Sequence, residues 1–538
     1  MRQARPSRLL AGALAALGAA TGARAFEIDT GNPDVAVRWD NTVRYNLAVR
    51  TEGKDPKIAN APNTDESDNK FDRGDVVNNR IDLLSELDLV YKSRMGLRIS
   101  GAAWYDHGYR DETVKTAPGL EARGSYDNNT YSSFTRRYYK GPSGEILDAF
   151  VFGNFDIGTT TLRVKLGKHS LFWGDVVFNA NHSVAYSQMP NDSRKSLSSP
   201  GVEAKETVLP LNQLSAQLQI TDTLAVAGQY FLDWQPNRLP EGGTYYGAAD
   251  FLFYGPDKFS LSPALTVRRA AALEPDERGN WGINMKWSPA WLDGTLGVYY
   301  RKFDERQPWS APQVVAAPGG FYRLVYAKGT EMLGVGINKN IGGIAVAAEV
   351  SKRKNTAFIN NAINPVSLEG PRGDSYHGFV NATMLGNLSA RIPYTAVAEL
   401  AYSRWSKVRS NPNFFNAEGF PGCSPAAAGL ACATKEYAGV SLLFSPKVLQ
   451  VIPGGDLSIP LFFQMGIKGN AATLSGGNQG AGNYSIGLQL DYLSKYIFAL
   501  NYSDFLGDYR DNGSIVTVGN GPLYRDRGLV SLSFRTSF

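Results

Sequence analysis

Apolar and polar residues alternate along much of this 538-residue chain. Within residues 35–50, Tyr45 and Leu47 share one face, while Arg44 and Asn46 share the other. The last nine residues repeat the pattern and end on Phe538. A period of two is typical of a β-strand whose two faces meet different surroundings. The pattern therefore predicts β-structure from near the start of the chain to its end.

Strand-like segments recur in pairs, with short turns inside each pair and long polar stretches between pairs. This spacing predicts eighteen strands, and a count of sixteen is also compatible with it. After 35–50 the predicted pairs are 81–92 with 95–106, 146–156 with 161–170, 210–220 with 224–234, 281–288 with 294–303, 330–340 with 343–353, 375–385 with 393–405, 436–445 with 456–468 and 482–492 with 495–505, and 527–538 completes the set.

The strand length and the faces predict a membrane protein. Most segments have about 10 to 13 residues, close to the 9–11 needed for a tilted crossing. Tyr484 and Tyr492 end an apolar face, as in an aromatic belt at two membrane interfaces. A soluble β-sandwich or propeller would also alternate, but would not explain nine long loops set against eight short turns. We predict an all-β, transmembrane, antiparallel up-and-down β-barrel with long extracellular loops and short periplasmic turns.

The N-terminus predicts export. Arg2, Arg5 and Arg8 precede an apolar run from 9 to 20, and Ala23-Arg24-Ala25 fits a signal-peptidase site. Residues 1–25 are therefore expected to be a signal peptide, and 26–538 the barrel domain. The formal charge of +5 falls to +1 for residues 26–538, since four arginines and no acids lie in 1–25. A balanced charge gives no reason to expect nucleic-acid binding.

Cys423 and Cys432 are the two cysteines of the chain. In an exported protein their spacing predicts a disulfide that closes a small loop. A metal site there is not expected, because none of the four histidines lies nearby in the sequence.

The polar faces of the first strands carry charges that are candidates for lining a water-filled lumen. A barrel of this size needs either water or a plug inside. The charges would set up a field across the lumen or would pair across neighbouring strands and stabilise the wall. The pore-lining candidates are Arg38, Arg44, Asp82, Glu86, Asp88, Arg98, Arg163 and Lys165.

Residues 171–209 are the candidate constriction. This segment is long, and it contains more apolar residues than a solvated loop needs. A loop of this length in a compact domain is normally functional. Folding inward would narrow the channel, and the alternative is an ordinary external loop. The candidates beside the solute path are Arg194, Lys195, Glu203, Lys205 and Glu206.

The final strand resembles the closing strand of bacterial outer-membrane barrels, whose aromatic terminus is read by the barrel-insertion machinery. Phe534 and Phe538 are therefore candidates for an insertion signal. This resemblance implies the outer membrane as location, with its lipid and lipopolysaccharide as partners.

Two motifs resemble a known family. Residues 166–174, LGKHSLFWG, are similar to a Gly-Arg-Gln-x-x-x-Trp-Gly signature of proteobacterial outer-membrane barrels, although Lys168 and His169 replace Arg and Gln. PGVEAKE at 200–206, followed by Leu209-Pro210, together with YRLVY at 322–326, resembles the family called domain of unknown function 1302. Its members resemble porin-like channels and accompany lipid-handling exporters or catabolism of hydrophobic compounds.

No enzyme is predicted. His107, His169, His182 and His377 lie in no Gly-x-Ser-x-Gly or His-Glu-x-x-His arrangement, and no cofactor or metal is implied. A surface receptor or adhesin remains an alternative, because the loops are long. An energy-coupled receptor would need a plug domain, and only residues 26–34 precede the first strand.

We expect a porin-like channel for passive, selective passage of small amphipathic or anionic organic solutes. The alternative is a barrel that cooperates with an inner-membrane exporter in lipid or hydrophobic-compound transport. The sequence leaves the oligomeric state open.

Overall fold

Eighteen antiparallel strands form one closed barrel in a computed structural model that describes residues 26–199 and 202–538. The proposed signal peptide, 1–25, lies outside the described residues. The strands, β1 to β18, are Val35–Arg50, Val76–Tyr91, Met95–Asp106, Ser143–Ile157, Thr160–His169, Leu211–Thr221, Leu224–Phe231, Trp281–Trp287, Gly294–Phe303, Thr330–Ile341, Ile344–Ala357, Arg372–Ser389, Ile392–Ser410, Glu436–Ile452, Leu461–Lys468 (preceded by Gly455–Ser458), Gly482–Tyr492, Tyr496–Leu506 and Leu529–Ser537.

The barrel closes between its first and last strands. β18 pairs with β1 over nine positions, from Thr42 opposite Ser537 to Arg50 opposite Leu529. Every other strand pairs with its neighbours in chain order. The prediction of an antiparallel up-and-down barrel with eighteen strands is therefore confirmed.

The two faces of the wall differ as the alternation predicts. Leu488 and Leu532 point outward and are exposed, whereas Arg44 and Ser531 point inward and are buried. Because lipid offers no hydrogen bonds, a closed barrel with an apolar outer face satisfies every ladder hydrogen bond internally. The protein is thus a membrane-spanning barrel, as expected.

Several strands extend past their predicted ends. β12 and β13 have 18 and 19 residues, since their backbone ladder continues beyond the apolar band. The segment predicted as continuous from 456 to 468 is interrupted at Pro460, which has no backbone N–H to donate to the ladder.

Nine long loops, L1 to L9, connect the strands at the extracellular end: 51–75, 107–142, 170–210, 232–280, 304–329, 358–371, 411–435, 469–481 and 507–528. L4 and L5 form a four-stranded sheet from Lys258–Ser262, Leu265–Arg269, Gln313–Val314 and Phe321–Arg323, and L9 pairs Tyr509–Asp511 with Val516–Gly519. Phe26–Ile28 pairs with β1.

The described helices are short and lie in the loops. Among the described residues, no helix is long and apolar enough to cross a membrane. The α-helices are Pro56–Ala59, Asp65–Asn69, Ser133–Tyr139, Ser193–Ser198 and Ala204–Thr207, and the 3-10 helices are His107–Tyr109, Glu121–Arg123, Asp127–Asn129, Ala180–His182 and Pro412–Phe414.

Candidate functional site inside the barrel

Residues 171–209, the L3 segment, contact the inner face of the barrel through their backbone. Glu399 on β13 accepts hydrogen bonds from the N–H groups of Val177 at 2.8 Å, Phe178 at 3.2 Å and Asn179 at 2.7 Å. The Asn381 side chain on β12 donates to the same carboxylate at 3.2 Å. One buried carboxylate therefore satisfies three consecutive backbone donors.

A second carboxylate, Glu349 on β11, holds the L3 segment in the same way. It accepts from the N–H groups of Asp175 at 2.8 Å and Val184 at 3.0 Å. Gly174 has a positive φ of 87°, and a Cβ there would lie 2.2 Å from Glu349 Oε1. Glycine at 174 thus permits both the turn and the close approach to the carboxylate.

Two buried arginines, on the strands either side of β10, bind the carbonyl groups of the L3 segment. Arg301 on β9 donates to Val184 O at 2.9 Å and to Tyr186 O at 2.7 Å. Arg353 on β11 donates to Ser183 O at 3.2 Å, and its guanidinium lies 3.8 Å from the centroid of the Tyr186 ring. The carboxylates and the arginines together satisfy backbone groups that burial would otherwise leave unpaired.

The far end of the L3 segment pairs with the opposite part of the wall. Arg44 on β1 binds Glu206 through two hydrogen bonds, of 2.7 and 3.2 Å, and lies 3.5 Å from Asp82 on β2. Arg80 donates to Asp82 at 2.9 Å. Arg44, Asp82 and Glu206 are buried, so this part of the charge cluster is closed to bulk water.

A second ion-pair chain lies beside the first and is open to water. Lys205 pairs with Glu86 on β2 and lies 3.3 Å from Glu203. Arg98 on β3 binds Glu86 at 2.5 Å, and Arg535 on β18 binds Glu203 at 2.6 Å. The structure thus brings predicted pore-lining residues of the wall into contact with predicted constriction residues of the L3 segment.

Arg194 and Lys195 lie nearer the extracellular end of the barrel and are buried. Arg194 Nε is 3.3 Å from Asp192 Oδ1, and Lys195 Nζ is 3.8 Å from Glu145 Oε1. Burial lowers the pKa of Lys195. Although burial opposes its ionisation, the charges of Arg194, Arg238 and Lys195 hold the pKa of Asp192 at about 2.

Four of the candidate cations on the wall are partly or fully exposed. Arg38 is 63% exposed and pairs with Asp40 at 2.7 Å, and Arg98 lies 3.6 Å from Asp88. Arg163 and Lys165 are exposed on β5, on the face opposite to the outward-pointing Leu166. Lys165 Nζ also lies 5.2 Å from the centroid of the Phe150 ring.

The outer loops pack over the top of the barrel around buried tyrosines. Tyr126 and Tyr131 of L2 donate to Gly242 O at 2.7 Å and to Gly243 O at 2.6 Å in L4. Tyr524 of L9 packs edge-on against Tyr246 of L4, with the ring centroids 5.6 Å apart. Hydrogen bonds and ring contacts therefore join the outer loops to one another at the extracellular end.

Three buried carboxyl groups lie where L1, L2 and L4 meet. Glu66 accepts from the N–H and the hydroxyl of Ser125, both at 2.5 Å, and Asp250 accepts from the Glu66 N–H at 3.2 Å. Asp65 accepts from the Ala117 N–H at 2.7 Å. Burial raises the pKa of Glu66 to about 8 and also raises the pKa of Asp250.

His182 of the L3 segment meets His377 of β12 at the inner wall. Their Nδ1 atoms are 3.2 Å apart, and His182 Nε2 lies 2.8 Å from Gly476 O. Burial lowers the pKa of His182 to about 4. Within residues 26–199 and 202–538, no group of three or more His, Cys, Asp or Glu residues could hold a metal ion.

The remaining candidate residues lie away from the lumen. Cys423 and Cys432 form a disulfide in L7. Phe534 points outward from β18, with its ring 4.9 Å from that of Phe498, and the Phe538 N–H donates to Asn41 O at 2.8 Å. A role for these phenylalanines in insertion stays a prediction.

The family model described as protein of unknown function (DUF1302) matches residues 7–538. The chain belongs to this family. The resemblance inferred from the two sequence motifs is therefore confirmed. No curated protein matches the chain.

Solved outer-membrane structures resemble the barrel distantly. Pseudomonas aeruginosa OpdK, crystallised with vanillate, has 9% identity and a TM-score of 0.41, over 93% of this chain and 98% of that one. Acinetobacter baumannii OccAB3 has 10% identity and a TM-score of 0.43, over 93% and 99%. Similarity at this level carries no argument about the solute.

The first of the two sequence motifs that resemble this DUF1302 family lies where L3 leaves the wall. Trp173 packs near Tyr299 of β9, with ring centroids 6.4 Å apart, and Gly174 makes the approach to Glu349. His169, which departs from the signature, points inward, and its Nε2 lies 2.8 Å from Ser215 Oγ. Of the stretch 200–206 in the second motif, Pro200 and Gly201 lie outside the described residues, whereas Glu203, Lys205 and Glu206 carry its charges.

Sequence reasoning missed Glu349, Glu399, Arg301 and Arg353. Each lies on the inner face of its strand, and its partners in the L3 segment are backbone groups at least 115 residues away. A signal was present in the glycines of β10, because a Cβ at Gly334 would lie 2.4 Å from Val184. Glycine inside a strand often marks a close approach of another segment.

Proposed function

We propose that this DUF1302 protein is an outer-membrane channel for passive, selective passage of small amphipathic or anionic organic solutes. The observation that carries the proposal is the attachment of the L3 segment to opposite parts of the inner wall. Glu349 and Glu399 bind its first half, and Arg44 and Arg535 bind its last residues. A segment held at both ends inside a barrel narrows the lumen.

Two exposed cations near this constriction favour anions. Arg163 and Lys165 are exposed on the inner face of β5, whereas Arg98 and Lys205 are compensated by their ion pairs with Glu86. Fixed cations along a pore raise the local concentration of anions and lower that of cations.

Aromatic groups beside the cations favour an amphipathic solute. Phe150 and Phe152 lie on the inner face of β4, and Lys165 Nζ is 5.2 Å from the centre of the Phe150 ring. An apolar ring next to an ammonium group matches a solute with an apolar body and a carboxylate.

Planar-bilayer recording tests this proposal with potassium benzoate and potassium chloride as probes. We expect small, steady, ohmic conductance with anion selectivity. In the variant R163Q/K165Q the anion-to-cation permeability ratio should fall at least about two-fold, because two lumen cations are removed. The matched control is K92Q/K495Q, which removes two lysines at periplasmic turns outside the lumen.

Two outcomes would contradict the proposal. The first is unchanged selectivity in R163Q/K165Q. The second is a folded barrel that conducts nothing and retains lipid inside, which would favour a partner of an inner-membrane exporter.

A further inference from the structure

The outer face of the barrel carries a cluster of cations at the extracellular end of one half of the wall. We name these residues the basic rim. Lys302 follows β9's outward Tyr300, and Lys352 and Lys354 follow Val350 on β11. The basic rim consists of Lys302, Lys352, Lys354, Arg404 on β13 and Lys468 on β15.

The strand register places these residues side by side. Lys302 is opposite Glu331 on β10, and Glu331 is opposite Lys354. Tyr376 on β12 is opposite both Lys352 and Arg404. The rim is therefore one continuous surface across strands β9 to β15.

The buried residues between them establish that the rim side chains point outward. Arg301 directly precedes Lys302, Arg353 lies between Lys352 and Lys354, and Ser403 directly precedes Arg404. Arg301, Arg353 and Ser403 are buried on the inner face. The two faces of a strand alternate, so Lys302, Lys352, Lys354 and Arg404 lie on the lipid side. A register shift after Gly466 places Lys468 opposite Ala438, on the same outer face.

Acidic neighbours neutralise only part of the rim. Glu436 lies 3.2 Å from Lys468 and 3.4 Å from Arg404, and Glu331 stands between Lys302 and Lys354 in register. Five cations and two carboxylates leave the surface positively charged. Elsewhere around the barrel, the last outward positions are mostly aromatic, apolar or amide residues, such as Tyr105, Asn212, Tyr230, Tyr502 and Val530.

Tyrosines set the depth of the rim in the membrane. Tyr376 and Tyr402 are exposed on the outer face, and Lys352 Nζ lies 5.4 Å from the centroid of the Tyr376 ring. Tyrosine marks the boundary between acyl chains and headgroups. The cations beside and above these rings are therefore at the height of lipid phosphates in the outer leaflet.

We propose that the basic rim binds the phosphate groups of an anionic glycolipid of the outer leaflet. Lysine and arginine provide charge-assisted donors to phosphate oxygens. The acyl chains of the same lipid would lie along the apolar face of β9 to β13. The proposed partner is thus a phosphorylated lipid. Its phosphate groups match the cations of the basic rim, and its acyl chains match the apolar residues of the outer face next to them.

Native mass spectrometry of the delipidated full-length barrel tests the proposal, with diphosphorylated lipid A as the probe. The variant K302Q/K352Q/K354Q should bind at least about ten-fold less lipid A than the parent, because three phosphate partners are lost. The matched control K54Q/K115Q/K328Q removes three loop lysines and should bind like the parent. A heat-modifiable band on gels verifies that each variant is folded.

Two further binding measurements determine whether the basic rim recognises the phosphate of a lipid or free inorganic phosphate. Lipid A stripped of its phosphates should bind the parent about as weakly as intact lipid A binds the rim variant. Inorganic phosphate at millimolar concentration should leave bound lipid A in place. Equal binding by the parent and the rim variant, equal binding of the dephosphorylated lipid, or displacement by inorganic phosphate would each overturn the proposal.

Discussion

Single carboxylates on the inner wall determine the position of the L3 segment. Glu399 alone accepts three consecutive backbone N–H groups, and Glu349 accepts two more. A carboxylate is acceptor-only when ionised, so it can satisfy several donors at once. Removing either residue would leave backbone donors of the L3 segment without these acceptors.

The variant E399A should loosen the L3 segment and raise single-channel conductance. Three partly buried backbone N–H groups would lose their acceptor, each at a cost of at most about 1–3 kcal/mol, so the segment would move away from β13. E399Q should have a smaller effect, since its amide oxygen still accepts. The control D222A changes an exposed carboxylate in a periplasmic turn. Bilayer recordings that find the same conductance in E399A and the parent would contradict this role.

His182 should make the barrel less stable in acid. Burial lowers the pKa of His182 to about 4, whereas an unfolded histidine titrates near 6.5. Between these values the unfolded state binds more protons, so stability falls as the pH decreases. The loss from pH 7 to pH 4.5 is ~2 kcal/mol for this group.

Thermal unfolding in detergent at pH 7 and 4.5 measures this loss. The variant H182Q cannot titrate and should lose less stability than the parent over the same interval. H107Q, which changes a partly exposed loop histidine, is the control. An equal loss in H182Q and the parent would exclude His182 as the cause.

At the scale of elements, buried carboxyl groups join the outer loops to one another. Glu66 of L1 binds Ser125 of L2, and Asp250 of L4 binds the Glu66 backbone. The carboxyl groups are buried close together, which favours their protonated forms. The three loops therefore share a junction that is sensitive to alkali.

Raising the pH should open this junction. Burial raises the pKa of Glu66 to about 8, above its unfolded value of 4.5. Its stabilising contribution is complete below pH 4.5 and is lost as the pH rises through 8. Limited proteolysis should therefore cut L1 and L2 faster at pH 9.5 than at pH 7. In E66Q this acceleration should shrink, while the exposed-loop control E121Q should keep it.

At the scale of the whole molecule, the outer face is the surface that lipid covers. Leu488 lies midway along β16 and is exposed, and the next residue, Gln489, points into the lumen. An apolar band around a closed wall is the property that lets the chain span a bilayer.

Placing a charge on that band should destabilise the barrel. L488R is expected to cost ~2–4 kcal/mol, because arginine would face lipid near the midplane. Q489R, one residue away on the water-filled side, should cost much less. Urea unfolding in lipid vesicles compares the two variants. Similar costs would mean that the outer face had been assigned wrongly.

The barrel was predictable from sequence because lipid outside and water inside act on every second residue of each strand. Apolar and polar residues alternate in this way over residues 482–492, and β16 has the bounds predicted for it. The partners of the L3 segment leave no such period, since Glu399 meets Val177 across 222 residues of chain. The sequence therefore indicated the segment and its charges, but not the carboxylates and arginines that bind it.

The contacts of L3 with the outer loops have a consequence for motion in the folded barrel. Arg194 of the L3 segment lies 3.9 Å from the ring centre of Tyr138 in L2 and pairs with Glu241 of L4. These contacts join L3 to L2 and L4 and oppose its withdrawal from the lumen. A movement of L3 that widened the channel would therefore also disturb the loops at the extracellular end.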